Sequence, residues 1–483
     1  MRQFESSQEQ TRRQFFGRCA LNLAPVALVS LLGQEAVASP TSMALPDADG
    51  PNPLSTKPPH FAAKAKRVIF LHMIGGPSQL DLFEPKAELI KRDGEPIPES
   101  FLRGTKFAQI QEKQPKLMGS PWKFAKHGQC GADVSELLPH TAQIVDHLSI
   151  VKTFKADDIN HAFAELQMNT GWRQFGRPSM GSWVSYGLGS ESRDLPAFTV
   201  LLSGMRPRSK SANYGNGFLP SAYQGVPLRS SGEPILNLSS PEGFSAARQR
   251  RTIDVVNRLN VKRLEATGDG EIAARIAAYE MAFRMQSSAP EMLNLADESA
   301  STLQMYGIGD VSQPSFARNC LLARRLVERG VRFVQLFHGD WDHHSNLASG
   351  LPSQCKQTDQ PSAALIKDLA ARGLLEDTLV VWGGEFGRTS VAQGARDATV
   401  GRDHNIDAFT MWLAGGGIKS GQTIGSTDEL GCFATADSFH IHDLQATVLH
   451  LLGLDHKRLT YRFQGRDFRL TDVHGNVIDK LLA

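Results

Sequence analysis

Thiols are scarce in this sequence. Its 483 residues contain five cysteines, with no C-x-x-C pair among them. That spacing excludes the common thiolate zinc sites. A surplus of one charge is missing too, since 52 Lys and Arg stand against 50 Asp and Glu. Without a basic excess there is no electrostatic footprint for nucleic acid, and without an acidic one no ground for a disordered polyanion. No period of solenoid type recurs. Beyond the N-terminal leader, no apolar run approaches the ~20 residues that span a bilayer. The chain reads as globular and too long for one small core. It fits one large α/β domain with insertions, or two domains.

What is present begins with residues 1–38. Arg12-Arg13 is followed by Phe15-Phe16, an apolar run over 20–32 and the small-residue pattern Ala36-Val37-Ala38. A charged start, a short apolar stretch and an A-x-A site form an export signal. The arginine pair points to the twin-arginine route, hence to a periplasmic or extracellular protein. The competing reading is an uncleaved anchor, against which the run is shorter than the ~20 residues a span needs. Residues 39–63 are rich in Pro, Ser and Asp and are expected to be a disordered linker. The remaining 64–483 form the domain. Export permits disulfides among Cys130, Cys320, Cys355 and Cys432, with the pairing left open.

Within the domain, RVIFLH (67–72), LSIVKT (148–153), AFTVLL (197–202), VRFVQLF (331–337), TLVVWGG (378–384) and AFTMWLAGGG (408–417) read as strands. HAFAELQMNT (161–170), PSAALIKDLAARG (361–373) and HDLQATVLHLLG (442–453) read as helices, each stopped by Gly. Residues 245–330 are rich in Ala, Arg, Leu, Glu and Met at spacings of three and four, a helical insertion of several segments. Strands alternating with helices, and strands apolar almost throughout, predict an α/β fold. Its mainly parallel central sheet would carry helices on both faces.

Sites in open α/β sheets lie at the carboxyl ends of strands. Four polar clusters occupy such places: His72 with Ser78 and Asp81; HGDWDHHSN at 338–346; GEFGR at 384–388; and GRDHN at 401–405, just before a strand. Four clusters from distant parts of the chain imply convergence on one pocket. Histidine with carboxylate and no thiolate is the ligand set of hydrolytic Zn²⁺, Mn²⁺ or mixed divalent sites. Asp340 and His344 can bend onto one ion from a short loop, with Asp342 beside them or orienting an imidazole. Glu385 and His404 are candidate ligands in the same pocket, and His72 and Asp81 weaker ones. Ser78 reads as a turn residue, His343 as solvated, and a lone strand-end Asp as a cap. Trp341 is expected to pack on the pocket wall.

Taken together, GGPSxxD (75–81), WDxHSN (341–346), GEFGRT (384–389), GRDHN (401–405), LAGGG (413–417), TDE (427–429) and ATVLHLLGLD (446–455) resemble the alkaline phosphatase and sulfatase superfamily. The match is above all to its uncharacterised, twin-arginine-exported branch, domain of unknown function 1501. The resemblance runs from about residue 67 to the C-terminus. It implies an alkaline-phosphatase-like fold with one or two divalent metals beside a nucleophile at a helix start. Asp340 and His344 resemble the superfamily's Asp-x-x-x-His pair, and His404 its late histidine. Glu385 keeps a carboxylate where the superfamily has Asp-His, and Phe386 replaces the histidine. No Asp stands at the end of the first strand, leaving His72 or Asp81 as substitutes. Counting back from Thr170-Gly171 puts His161 at the nucleophile position, where the superfamily has Cys, Ser or Thr. His161 is thus a candidate nucleophile, metal ligand or mere helix-start residue. Arg388 is a candidate for binding an anionic oxygen, or a salt bridge holding its loop.

The resemblance implies an exported metal-dependent hydrolase of a phosphate or sulfate ester. The cation could be Zn, Mn, Mg or Ca, the substrate an anionic ester, and the oligomeric state is open. The missing nucleophile and altered second site favour the alternative, a non-catalytic binding or assembly protein on a degenerate scaffold. An isomerase or mutase is a weaker option.

Overall fold

The computed structural model describes residues 52–229 and 244–483. Residues 1–51, which include the expected export signal, lie outside the described residues. Residues 52–63, expected to be disordered, instead lie along the domain. Leu54 is buried. The Lys57 backbone N–H donates to the Leu188 carbonyl at 2.9 Å and its Nζ to the Tyr186 carbonyl at 2.7 Å. Pro-rich composition excludes a regular element here, and none forms, but irregular backbone still finds partners at helix ends. Cys130, Cys320, Cys355 and Cys432 are all free.

The sheet is built from β1 (Arg67–Met73), β2 (Leu148–Lys155), β3 (Phe198–Ser203), β4 (Val226–Leu228), β5 (Phe333–His338) and β6 (Thr378–Gly383). A separate antiparallel ribbon, β7 (Gly387–Gln393) with β8 (Gly401–Asn405), follows. The sheet is completed by β9 (Phe409–Ala414), β10 (Gln422–Ile424) and β11 (Phe439–His440). The order is β10-β2-β9-β6-β1-β5-β3-β4, with β11 also on β2. All pairings are parallel except the two made by β9, which runs against β2 and β6. The predicted mainly parallel sheet is present.

Its continuous apolar strands follow from burial on both faces. In β1, Ile69 and Leu71 join one core and Val68 and Phe70 the other, the two-residue alternation of a pleated strand. The second core is covered by α1 (His161–Thr170) and α2 (Met180–Leu188).

The helical block contains α3 (Ala246–Thr267), α4 (Gly270–Leu293), α5 (Ala300–Tyr306) and α6 (Phe316–Glu328), with no strand among the described residues between them. It is not all insertion. α3 buries no residue, but α6 is buried along nearly its whole length and feeds directly into β5, so it is a crossover helix of the sheet. α6 and α7 (Leu347–Ala371) cover the first core, and α8 (Ile441–Leu451) joins the second. α7 starts well before the expected 361 and keeps Pro352 and Pro361 inside it. No helix among the described residues is long and apolar enough to cross a membrane.

Candidate metal centre

The parallel strands β1, β2, β3, β5 and β6 open their carboxyl ends on one side of the sheet, and the polar clusters gather there. β1 delivers His72 and then the Gly75-Gly76 turn. After β2, the chain enters α1 at His161, with the Asn160 side chain capping the helix by accepting from Ala162 N–H at 3.0 Å. β5 ends at His338, and the following turn carries Asp342 and His344. β6 leads to Glu385. The β7–β8 ribbon sets His404 opposite Arg388. Gly75 makes the close approach possible. Its φ is +111°, and a Cβ there would lie 2.5 Å from the Asp342 backbone nitrogen. The same Gly75 N–H donates to Glu385 Oε1 at 3.0 Å.

Ligand atoms of His161, Asp342, His344 and His404 all lie within 4.8 Å of one another, a group that can hold a metal ion. The Nε2 atoms of all three imidazoles face Asp342: His161 at 3.1 Å from Oδ2, His344 at 3.0 Å and His404 at 3.4 Å from Oδ1. Ligand atoms on a tetrahedral zinc, at bonds of about 2.0–2.2 Å, are about 3.3–3.6 Å apart. The three contacts to Asp342 are close to that, while the whole set lies within 4.8 Å. Each ring is also fixed from behind through Nδ1, by Glu385 Oε1 at 2.5 Å for His161, Gln393 Oε1 at 2.6 Å for His344 and the Ile159 carbonyl at 2.7 Å for His404. Metal-bound histidines are oriented in this way. The buried Nε2 atoms of His161 and His344 approach Asp342 without hydrogen-bond geometry, an arrangement that a cation between them would satisfy.

The charges are strongly coupled. Burial works to raise the Asp342 carboxyl, but the imidazoles of His161, His344 and His404 around it and the Arg388 charge hold it well below the carboxylate range. Burial likewise opposes ionisation of Glu385, and His161 and His72 outweigh it. Burial pushes His404 down to about 4, against the pull of Asp342. It also disfavours the charged form of His161, but Asp342 and Glu385 overcome that and raise it. Glu165, one helical turn after His161, is pushed up to about 8 by burial and then by the Glu385 charge. Asp342 and Glu385 are therefore anionic at neutral pH, and His404 keeps a free lone pair, the form a metal needs.

The family described as "Protein of unknown function (DUF1501)" matches residues 65–482. The chain belongs to that family. No curated protein matches it. Among solved structures, it is similar to the lipoteichoic acid synthase LtaP from Listeria monocytogenes, at 10% identity and a TM-score of 0.36 over 86% of this chain and 78% of that one. It is also similar to an alkaline phosphatase from the Antarctic bacterium TAB5, at 10% identity and TM-score 0.34, over 81% of this chain and 99% of that one. A third is the PsFucS1 sulfatase from Pseudoalteromonas sp., at 11% identity and TM-score 0.34, over 81% of this chain and 68% of that one.

The structure brings His161, Asp342, His344 and His404 together and separates the other candidates. Asp340 is exposed at a φ of +77°, and its Oδ2 accepts from Met205 N–H at 3.2 Å, so it belongs to the 204–205 turn rather than to the cluster. Glu385 stands behind His161 instead of beside the four. His72 is fully buried, stacked on Phe70, with Nε2 3.5 Å from Glu385 Oε2. Asp81 is consumed by a buried ion pair with Arg402 and by Ser78 Oγ. Arg388 is no open anion receptor. It is 1% exposed and bonded to Asp342 and to the carbonyls of Gly75, Gly76 and Arg402.

His343 turns towards Gly350, where a Cβ would lie 2.4 Å from its ring. His338 is satisfied by Ser203 and Gln354, both at 2.9 Å. Trp341 is buried, edge-on to Trp382 at 6.2 Å. Sequence reasoning missed Gln393, Glu165 and Arg208. Arg208 follows β3 at a strand end like the four clusters, but its segment has neither His nor carboxylate to mark it.

Proposed function

We propose that this chain is a metal-dependent hydrolase of a phosphate or sulfate ester, acting outside the cytoplasm. The observation that carries the metal part is the convergence of three Nε2 atoms on the Asp342 carboxylate, each ring locked through Nδ1. Three imidazoles and one carboxylate suit zinc best, since magnesium and calcium prefer oxygen alone. A bound divalent cation polarises an ester oxygen and lowers the pKa of water. The chain's own residues prepare for that chemistry. Glu385 holds the His161 ring, Gln393 the His344 ring, and the Ile159 carbonyl the His404 ring, so each imidazole is oriented before loading. Arg388 fixes the Asp342 turn against the Gly75-Gly76 turn. The ester class is supported by the motif resemblance, and export by Arg12-Arg13 and Ala36-Val37-Ala38.

Elemental analysis of protein purified without chelator, with p-nitrophenyl phosphate and p-nitrophenyl sulfate assayed in parallel, tests the proposal. Retained zinc or manganese, and ester cleavage abolished by chelator and restored by the metal, is the expected result. Metal without cleavage would make the chain a binding protein. No metal retained after supply of Zn²⁺, Mn²⁺, Mg²⁺ or Ca²⁺ would overturn the proposal. Replacing Arg12 and Arg13 by Lys should keep the precursor in the cytoplasm, and unchanged export would remove the twin-arginine route.

A further inference from the structure

Asp342 has more nitrogen partners than one carboxylate requires. Besides three imidazoles, two guanidinium groups donate to it, Arg388 Nη2 to Oδ1 at 2.7 Å and Arg208 Nη2 to Oδ2 at 2.7 Å. The two arginines differ in what else they do. The Arg388 fork is enclosed by backbone carbonyls. The Arg208 side chain is 44% exposed, and among the described residues its guanidinium bonds to Asp342 alone, leaving Nε and Nη1 without protein partners.

Its backbone is anchored. Arg208 N–H donates to Glu165 Oε2 at 2.8 Å, and Ser209 Oγ donates to the Ala162 carbonyl at 2.7 Å, both on the helix that carries His161. The base of the side chain is therefore fixed against α1, while its head stands at the solvent side of the cluster. Arg206 and Lys210, at alternate positions of the same loop, are exposed as well, so this rim is basic.

We infer that Arg208 is the residue that receives a tetrahedral oxyanion, phosphate or sulfate, at this site, an assignment that rests on the hydrolase reading above. A planar fork with free N–H groups matches two oxygens of such an anion at once. The Glu165 carboxyl, which accepts the Arg208 backbone N–H, sets where the fork can reach, which makes Glu165 a positioning residue.

Isothermal titration of the zinc-loaded full chain with inorganic phosphate, and separately with sulfate, tests the assignment in wild type, Arg208→Ala and Arg208→Lys. Wild type should bind phosphate. The Ala variant should bind it about 10- to 100-fold more weakly, the span expected for losing a charge-assisted pair of hydrogen bonds. Lys should recover part of that, since it restores the charge but not the fork. Zinc content and circular dichroism should be equal in all three. Where ester cleavage is measurable, the loss should fall chiefly on KM. Phosphate binding equal in wild type and Arg208→Ala, or no binding to wild type at millimolar concentration, would overturn the assignment. A chain that holds no zinc would sink the hydrolase reading, while the phosphate comparison still judges Arg208.

Discussion

Asp81 and Arg402 form an ion pair with no exposed surface on either side chain, through Nε–Oδ2 at 2.8 Å and Nη2–Oδ1 at 3.0 Å. The remaining donor, Arg402 Nη1, serves the carbonyls of Met118 and Thr389 at 3.0 and 3.1 Å. Asp81→Asn keeps the shape and removes the counter-charge. It leaves a buried guanidinium uncompensated, a change that costs about 3–5 kcal/mol. Against a net stability of about 5–15 kcal/mol for a typical domain, that is a large share. Urea unfolding followed by tryptophan fluorescence measures it, with buried Trp341 and Trp412 as reporters. The midpoint should fall with little change of slope, and metal per folded molecule should stay constant. The double variant Asp81→Leu/Arg402→Met should recover much of the loss, because a well-packed apolar pair replaces a buried ion pair at little or no cost. An unchanged midpoint together with lost metal would refute this reasoning and make Asp81 a ligand after all.

Three further outcomes follow from the geometry. Glu385→Gln should weaken zinc binding about 10- to 100-fold, measured by competition with a chelating dye, because it loosens the ring of His161; unchanged affinity would remove Glu385 from that role. Asp340→Asn should keep its metal and Asp342→Asn should lose it, and the reverse pattern by elemental analysis would restore the Asp-x-x-x-His pairing that the motif implies. The third concerns pH. Glu165 is raised from 4.5 to about 8 in the folded chain, so the folded state keeps a proton that the unfolded state releases. Its contribution is full below pH about 4.5 and is lost as pH rises towards 8. Glu165→Gln should therefore flatten the decline in stability of metal-free protein between those limits in urea titrations. An identical slope in the variant would mean that Glu165 ionises in the fold as it does in the open chain.

The glycines and the apolar runs made much of the fold legible. Gly171 ends α1 at φ +69°, where the composition of 161–170 had placed a stop. The strands at 67, 148, 198, 333, 378 and 409 lie where near-continuous apolar runs announce burial on both faces. The role of α6 was less legible. It lies in the same Ala- and Arg-rich block as α3, and packing shows which of the two is a crossover helix. The GRDHN segment was read as a polar cluster, yet it is a buried strand paired with Gly387–Gln393. Local polarity does not announce a strand whose side chains are satisfied by a buried ion pair and by backbone groups of distant segments.

At the site, residue type and strand-end position named His344 and His404 and set Asp342 beside the favoured Asp340, and the superfamily resemblance, counted back from a helix stop, named His161. Which of two aspartates faces the imidazoles was not decidable from spacing. Asp340 and Asp342 sit in the same short turn, and the choice depends on a left-handed backbone at Asp340 and on a neighbouring loop that takes its side chain. Arg388 and Arg208 show the same division. Either arginine, read along the chain, can bind an anion. Only the tertiary structure shows one enclosed by carbonyls and the other open, because a donor's availability is set by the groups that surround it in space and not by its neighbours in sequence.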